Sequence, residues 1–253
     1  AQSAGISQKT LNAAFTGVTG PLPSVVELDR RQPEFTQSLE DYVLTRVGDQ
    51  RVARGRTMLS RYPTWLGRVE RTYGVPRQFI VALWGIETNY GAHSGSISVI
   101  HSLATLAHDG RRSAYFRKEL LAALHIIEDG QINPKRMKGS WAGAMGQCQF
   151  MPSSFRSYAV DADGDGRVNI WGSVPDVLAS AANYLGQMGW QDAQPWGHLV
   201  NIPEDFDFSL AGLETKLPLV RWQALELRMT DGTALLQSGL FASLLLPDGP
   251  NGP

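Results

Sequence analysis

A chain of 253 residues, 43% apolar and 19% charged, holds enough hydrophobic material for one large domain or two to three small ones. Its 24 acidic residues nearly cancel its 23 basic ones, which removes the long-range field that a nucleic-acid or anionic-lipid binder would use and leaves binding to local sites. The longest apolar stretches, 79–86 and 120–127, fall well short of the roughly 20 residues that span a bilayer, so no transmembrane helix is expected.

The sequence opens on Ala1-Gln2-Ser3, without methionine or an apolar leader, as a processed or recombinant product would. Residues 17–23 read as a loosely held segment. From 34 to 73, apolar residues recur at helical spacing (Phe35, Leu39, Val43, Leu44, then Leu59, Tyr62, Leu66, Val69), which predicts two or three helices. Gly74-Val75-Pro76 places proline at a first helical position, for a helix over 78–89 that Gly91 ends. Further helices are predicted over 98–107, 113–129 and 175–188. Beyond Trp190, Pro-punctuated apolar runs at 199–202 and 217–220 and alternation over 224–228 predict short strands, and 247–253 reads as a loose end. The expected fold is mainly α (α+β): an N-terminal helical domain over 1–73, a helical core over 74–190 and a small strand-rich unit over 191–253.

Within the 78–89 helix, residues 80, 83, 84 and 87 share one face, which puts the Glu87 carboxyl where a leucine would be expected. Desolvation at such a place favours the protonated form and suits a general acid; a buried glutamate held by a structural partner reads equally well. A second acid on a comparable face would complete the usual glycosidase pair. None is evident, since Asp109, Glu119, Glu128 and Asp129 stand in polar settings that suit solvated charge. The 138–152 stretch combines small residues, two amides and aromatics, as a saccharide groove or a tight helix-packing loop would. Cys148, the single cysteine, excludes an internal disulfide and reads as a small packing residue. Asp161-Ala162-Asp163-Gly164-Asp165-Gly166-Arg167 matches the first seven positions of a calcium-binding EF-hand loop, with Asp161, Asp163, Asp165 and the Arg167 carbonyl as ligands. Position 12 is Gly172 and the next acid is Asp176, so such a loop is longer than usual.

Three ordered motifs resemble the lytic murein transglycosylase B family, glycoside hydrolase family 103. They are Gly85-Ile86-Glu87-Thr88-Asn89-Tyr90-Gly91, the run from Gly139-Ser140-Trp141-Ala142-Gly143-Ala144-Met145-Gly146 into Gln149-Phe150-Met151-Pro152-Ser153-Ser154, and 161–171 followed by Ala182-Asn183-Tyr184. The resemblance is strong over 74–190 and implies a lysozyme-like core in which Glu87 is the sole catalytic acid and base. By the same resemblance Ser140 supports that glutamate, Gln149 and Phe150 contact the sugar, and Tyr184 lines the groove. Arg111 and Arg112 would hold the acidic stem peptide or lactyl carboxylate, or else serve as solvated cations at a helix start. The implied reaction cleaves the bond between N-acetylmuramic acid and N-acetylglucosamine in peptidoglycan strands and closes a 1,6-anhydro ring. Calcium, held by Asp161, Asp163, Asp165, Arg167 and Asp176, would be structural.

The resemblance also implies a periplasmic protein, with membrane attachment through a removed N-terminus and cell-wall enzymes as partners compatible with it. Family members continue into a closing segment that helps wall the groove, whereas this chain stops at Pro253, which implies either a truncated or processed form, with a complementing C-terminal fragment compatible with it, or a member that has lost that wall. A hydrolytic muramidase and a non-catalytic peptidoglycan-binding module stand as the rival readings.

Overall fold

The computed structural model describes residues 1–31, 37–192, 194–235 and 239–249. Glu34 and Phe35, from the predicted 34–73 helical region, and residues 250–253 of the predicted loose end lie outside them. The helices are α1 (Gln8–Ala14), α2 (Pro23–Arg31), α3 (Leu39–Arg46), α4 (Asp49–Arg61), α5 (Pro63–Tyr73), α6 (Arg77–Thr88), α7 (Val99–Asp109), α8 (Ser113–Glu128), α9 (Pro152–Tyr158), α10 (Val174–Gln187) and α11 (Leu219–Ala224). Among the described residues six two-residue strands pair antiparallel: β1 (Ile97–Ser98) with β2 (Lys138–Gly139), β3 (Val200–Asn201) with β5 (Arg228–Met229), and β4 (Leu217–Pro218) with β6 (Phe241–Ala242). The mainly helical class expected from periodicity is the one observed.

The chain forms two compact units, residues 1–36 with 44–192 and residues 37–43 with 193–253. In the first, one hydrophobic cluster runs from Val25 through Leu66, Ile80, Trp84, Leu103 and Phe116 to Leu178. Each such aliphatic or aromatic side chain contributes roughly 1.5–3 kcal/mol on burial. Residues 1–31 and 44–73 therefore share a core with 74–190. The second unit has its own small cluster around Phe206, Trp222, Leu227, Leu235 and Leu244. There the backbone N–H of Leu39 donates to the Asp248 carboxylate, tying the 37–43 segment to the end of the chain.

Several expectations need correction. Residues 17–23 are not a loose segment to their end: Pro23 opens α2, the Leu22 N–H donates to Thr105 Oγ1 at 3.0 Å, and Val25 is fully buried. Pro76 caps α6 from outside, and the helix ends at Thr88, with Asn89 (φ 50°) and Tyr90 (φ 59°) both left-handed before Gly91 is reached. The alternating 224–228 run is the end of a helix and a turn, because Trp222 anchors α11 in the second core and only Arg228 enters a strand. Glu119 is not a solvated charge. It is 2% exposed and accepts hydrogen bonds from Ser153 N at 2.9 Å and Ser153 Oγ at 2.7 Å, holding the start of α9 against α8. Glu128 similarly receives Ser7 N and Oγ, and Asp109 pairs with Arg30.

Candidate active site

Helix α6 carries Glu87 one residue before its end. Its start is fixed by Glu70, whose carboxylate accepts from Arg77 N at 3.0 Å and from Arg77 Nε at 2.8 Å. Its inner face is Ile80, Val81 and Trp84, all buried. The apolar stripe does not extend to Glu87 as its spacing suggests. Leu83 is half-buried and Glu87 exposed, because the helix is leaving the core where that position arrives. The carboxyl thus opens to solvent from a surface dense enough in protein atoms to desolvate it. Desolvation alone raises its pKa above the ordinary 4.5, with no charged neighbour contributing. Among the described residues it makes no hydrogen bond or ion pair. It stays unpaired and biased toward the protonated form.

The 139–150 segment lies against this helix end. Glu87 is near enough to Cys148 that its charge adds to the burial that pushes the thiol pKa upward. Cys148 itself is buried, its thiol donating to Val177 O, which fits a packing residue. A tight turn closes between Met145 and Phe150, whose backbones exchange hydrogen bonds of 2.8 and 3.1 Å. Inside it Gln149 is left-handed (φ 50°), a conformation that costs a residue with Cβ roughly 1–2 kcal/mol. Its Nε2 donates to Gly146 O at 2.8 Å and Ser94 O at 3.2 Å, while its Oε1 takes no hydrogen bond among the described residues. The small residues of the stretch are explained by packing: a Cβ on Gly143 would stand 2.4 Å from Leu103 and one on Gly146 2.6 Å from Ile170.

Ser140 Oγ accepts from Ala144 N at 3.1 Å, and no hydrogen bond joins it to Glu87. Phe150 is 5% exposed and lies 5.5 Å from the Tyr184 ring, which meets Tyr158 edge-on at 5.2 Å. Tyr184 is half-buried, so the more accessible wall of that aromatic cluster is the tyrosine and not the phenylalanine. Arg111 and Arg112 do not stand free. Arg111 Nε and Arg112 Nη2 hold opposite oxygens of the buried Asp29 carboxylate at 2.8 and 2.5 Å, joining α2 to the start of α8. Those contacts, by side-chain hydrogen bonds and by charge, outweigh burial and keep the Asp29 carboxyl below its ordinary 3.8.

Sequence reasoning missed Gln147. It is buried, accepts from Trp84 Nε1 at 2.9 Å and donates to Trp171 O at 3.0 Å. Its amide stands next to the motif residues, and only the fold shows that it spans from α6 to the 170–171 segment.

In the acidic loop the ligand atoms of Asp161, Asp163 and Asp176 lie within 4.8 Å of one another. Asp165 is not in that group; its carboxylate accepts from Arg167 N at 2.8 Å. Asp176 is fully buried at the start of α10, its oxygens accepting from Ala162 N and Asn169 N, and burial raises its pKa. No lysine or arginine pairs with the three carboxylates among the described residues. The donor set fits a hard divalent cation.

A model of the family described as "Transglycosylase SLT domain" matches residues 1–253. The chain is 38% identical over 196 residues to the membrane-bound lytic murein transglycosylase B of Escherichia coli strain K12, covering 72% of this chain and 54% of that protein. It therefore spans about half the length of that relative. The crystal structure of SltB3 from Pseudomonas aeruginosa in complex with NAG-NAM-pentapeptide superposes with a TM-score of 0.90 at 47% identity, covering all of this chain and 68% of that one. The same protein with NAG-anhNAM-pentapeptide gives 0.88 at 47% identity, over 97% of this chain and 67% of that one. The Escherichia coli lytic transglycosylase Slt35 in complex with calcium gives 0.81 at 32% identity, over 96% of this chain and 76% of that one.

Proposed function

The chain belongs to the transglycosylase SLT domain family, and from that premise we propose that it is a peptidoglycan lytic transglycosylase in which Glu87 acts first as acid and then as base. The observation that carries the reading is an unpaired carboxyl, raised in pKa by desolvation alone, at the end of a helix whose inner face is packed in the core. SltB3, similar over the whole of this chain, binds both NAG-NAM-pentapeptide and its anhydro counterpart.

Protonated Glu87 gives its proton to the glycosidic oxygen between N-acetylmuramic acid and N-acetylglucosamine, and the bond from that oxygen to the muramyl C1 breaks. The substrate's acetamido oxygen stabilises the cationic carbon, so no second carboxylate is required. Ionised Glu87 then takes the proton of the muramyl 6-hydroxyl as that oxygen bonds to C1. The anhydro ring closes and the carboxyl is again protonated. Ser140, Gln149, Phe150 and Tyr184 form the sugar-contacting wall, with Gln149 Oε1 as an acceptor for a hydroxyl or acetamido N–H and Tyr184 as the ring-stacking face. Arg111 and Arg112, each about half exposed beyond Asp29, retain N–H groups for stem-peptide carboxylates.

Calcium, when bound, neutralises the carboxylates of Asp161, Asp163 and Asp176, with the Arg167 carbonyl beside them, and contributes stability but no chemistry. The protein works in the periplasm, where its substrate lies. Mass spectrometry of digested sacculi tests the reading: 1,6-anhydro-muropeptides are expected. Reducing-end products would make it a hydrolase, and no products would make it a binding module.

A further inference from the structure

We infer that Gln147 is a positioning residue for this reaction, fixing the last turn of α6 and with it the direction in which Glu87 presents its carboxyl. The inference rests on the acid/base reading of Glu87. That carboxyl makes no hydrogen bond among the described residues, so the turn that carries it is what sets where its Cα–Cβ bond points. Gln147 grips that turn on both sides of Glu87. Its Oε1 accepts from the Trp84 indole at 2.9 Å, three residues before, and its backbone carbonyl accepts from the Thr88 hydroxyl at 3.0 Å, one residue after. Thr88 Oγ1 in turn accepts from Gly91 N at 3.1 Å, which fixes the chain's exit from the helix. A Cβ on Gly91 would stand 2.3 Å from Gln147 Oε1, so the amide also packs where the chain turns away.

The far side of the clamp is anchored as well. Gln147 Nε2 donates to Trp171 O at 3.0 Å and its backbone N–H to Ile170 O at 2.8 Å. An indole N–H only donates and a carbonyl only accepts, so the two partners fix the amide's orientation. They also require a side chain that accepts at one tip atom and donates at the other. Glutamate would keep the bond from Trp84 and lose the bond to Trp171. Methionine has the length and neither bond.

The test compares wild type with Gln147→Met and Gln147→Glu in steady-state digestion of a defined peptidoglycan fragment, and titrates the Glu87 carboxyl by carbon NMR. The expected result for Gln147→Met is a fall in kcat of about 10- to 100-fold, the scale on which small misplacements of a reacting group act, with KM unchanged. Gln147→Glu is expected to recover part of that loss, and Glu87 in Gln147→Met to titrate closer to an ordinary carboxyl. Unchanged kcat and unchanged Glu87 titration in folded Gln147→Met would overturn the inference. If Gln147→Met does not fold, Trp84→Phe removes the indole donor and keeps the ring; it is expected to lower kcat with KM unchanged, and its failure to do so overturns the inference instead. Inactive wild-type protein would sink the proposed function, and the NMR titration would then decide the positioning role by itself.

Discussion

The end of α6 and the junction of α8 with α9 each place a glutamate on a helix rich in apolar residues, and they use it in opposite ways. Glu119 is 2% exposed and both its oxygens are taken by Ser153, one by the backbone N–H and one by the hydroxyl. Glu87 is exposed, takes no hydrogen bond among the described residues, and has its pKa raised. Depth of burial alone therefore does not single out the carboxyl proposed for the chemistry. What separates Glu87, the carboxyl proposed for the chemistry, from Glu119 is whether donors meet it: Glu119 is held by two donors, whereas desolvation without donors favours a carboxyl that keeps its proton.

That contrast breaks outright if Glu87→Gln keeps its activity. The variant removes the proton donor and later acceptor while preserving shape, so release of anhydro-muropeptides is expected to fall roughly 10²- to 10⁴-fold by mass spectrometry. For wild type the first step needs the protonated form, so kcat is expected to decline on the alkaline side at a pH above the ordinary carboxyl value of 4.5. A decline centred at or below that value would remove the desolvated acid from the account. The acidic loop extends the contrast to a third arrangement, where Asp161, Asp163 and Asp176 converge with no cationic side chain paired to them among the described residues. Adding calcium to chelated protein is expected to stabilise it by about 2.7 kcal/mol at a hundredfold excess over Kd, read by thermal unfolding. An unchanged Tm would leave the loop a plain turn.

How much of this was legible in the sequence differs by residue. Helices α6, α7, α8 and α10 were readable to within two residues, because their apolar residues keep helical spacing over each helix. Helices α1 and α2 were not: each is under ten residues, and their packing partners, such as Thr105 for Leu22 and Glu128 for Ser7, lie more than eighty positions away. Glu87 was visible as a misplaced carboxyl, yet its lack of partners is a fact of three dimensions. Arg111 and Arg112 read as ligand-binding cations because nothing local reveals Asp29 beneath them. Asp176 looked too late in the loop for its family of sites, and the fold brings it back by starting α10 there.

Two smaller effects sharpen the comparison from its structural side. Glu119→Ala strands the Ser153 N–H and hydroxyl at a buried junction and is expected to cost about 1–3 kcal/mol. In a chain of this size each such kcal/mol lowers Tm by roughly 2–4 °C. Product release per folded molecule should be untouched, and a large loss of kcat at full stability would mean that Glu119 belongs to the chemistry after all.

Asp29→Asn is expected to act more weakly, near 1 kcal/mol, because both arginines are about half exposed and water screens their attraction. Its pH dependence carries the information. The Asp29 carboxyl titrates lower in the folded protein than its ordinary 3.8, so its ionised form contributes stability at neutral pH, and that contribution is lost as pH falls from the unfolded value through the folded one. The gap between wild type and Asp29→Asn in denaturant unfolding should therefore be full at pH 7 and close in acid. A gap that widens in acid would mean that Asp29 is held by burial in a protonated form, and it would then join Glu87 and Asp176 as a carboxyl whose pKa burial raises.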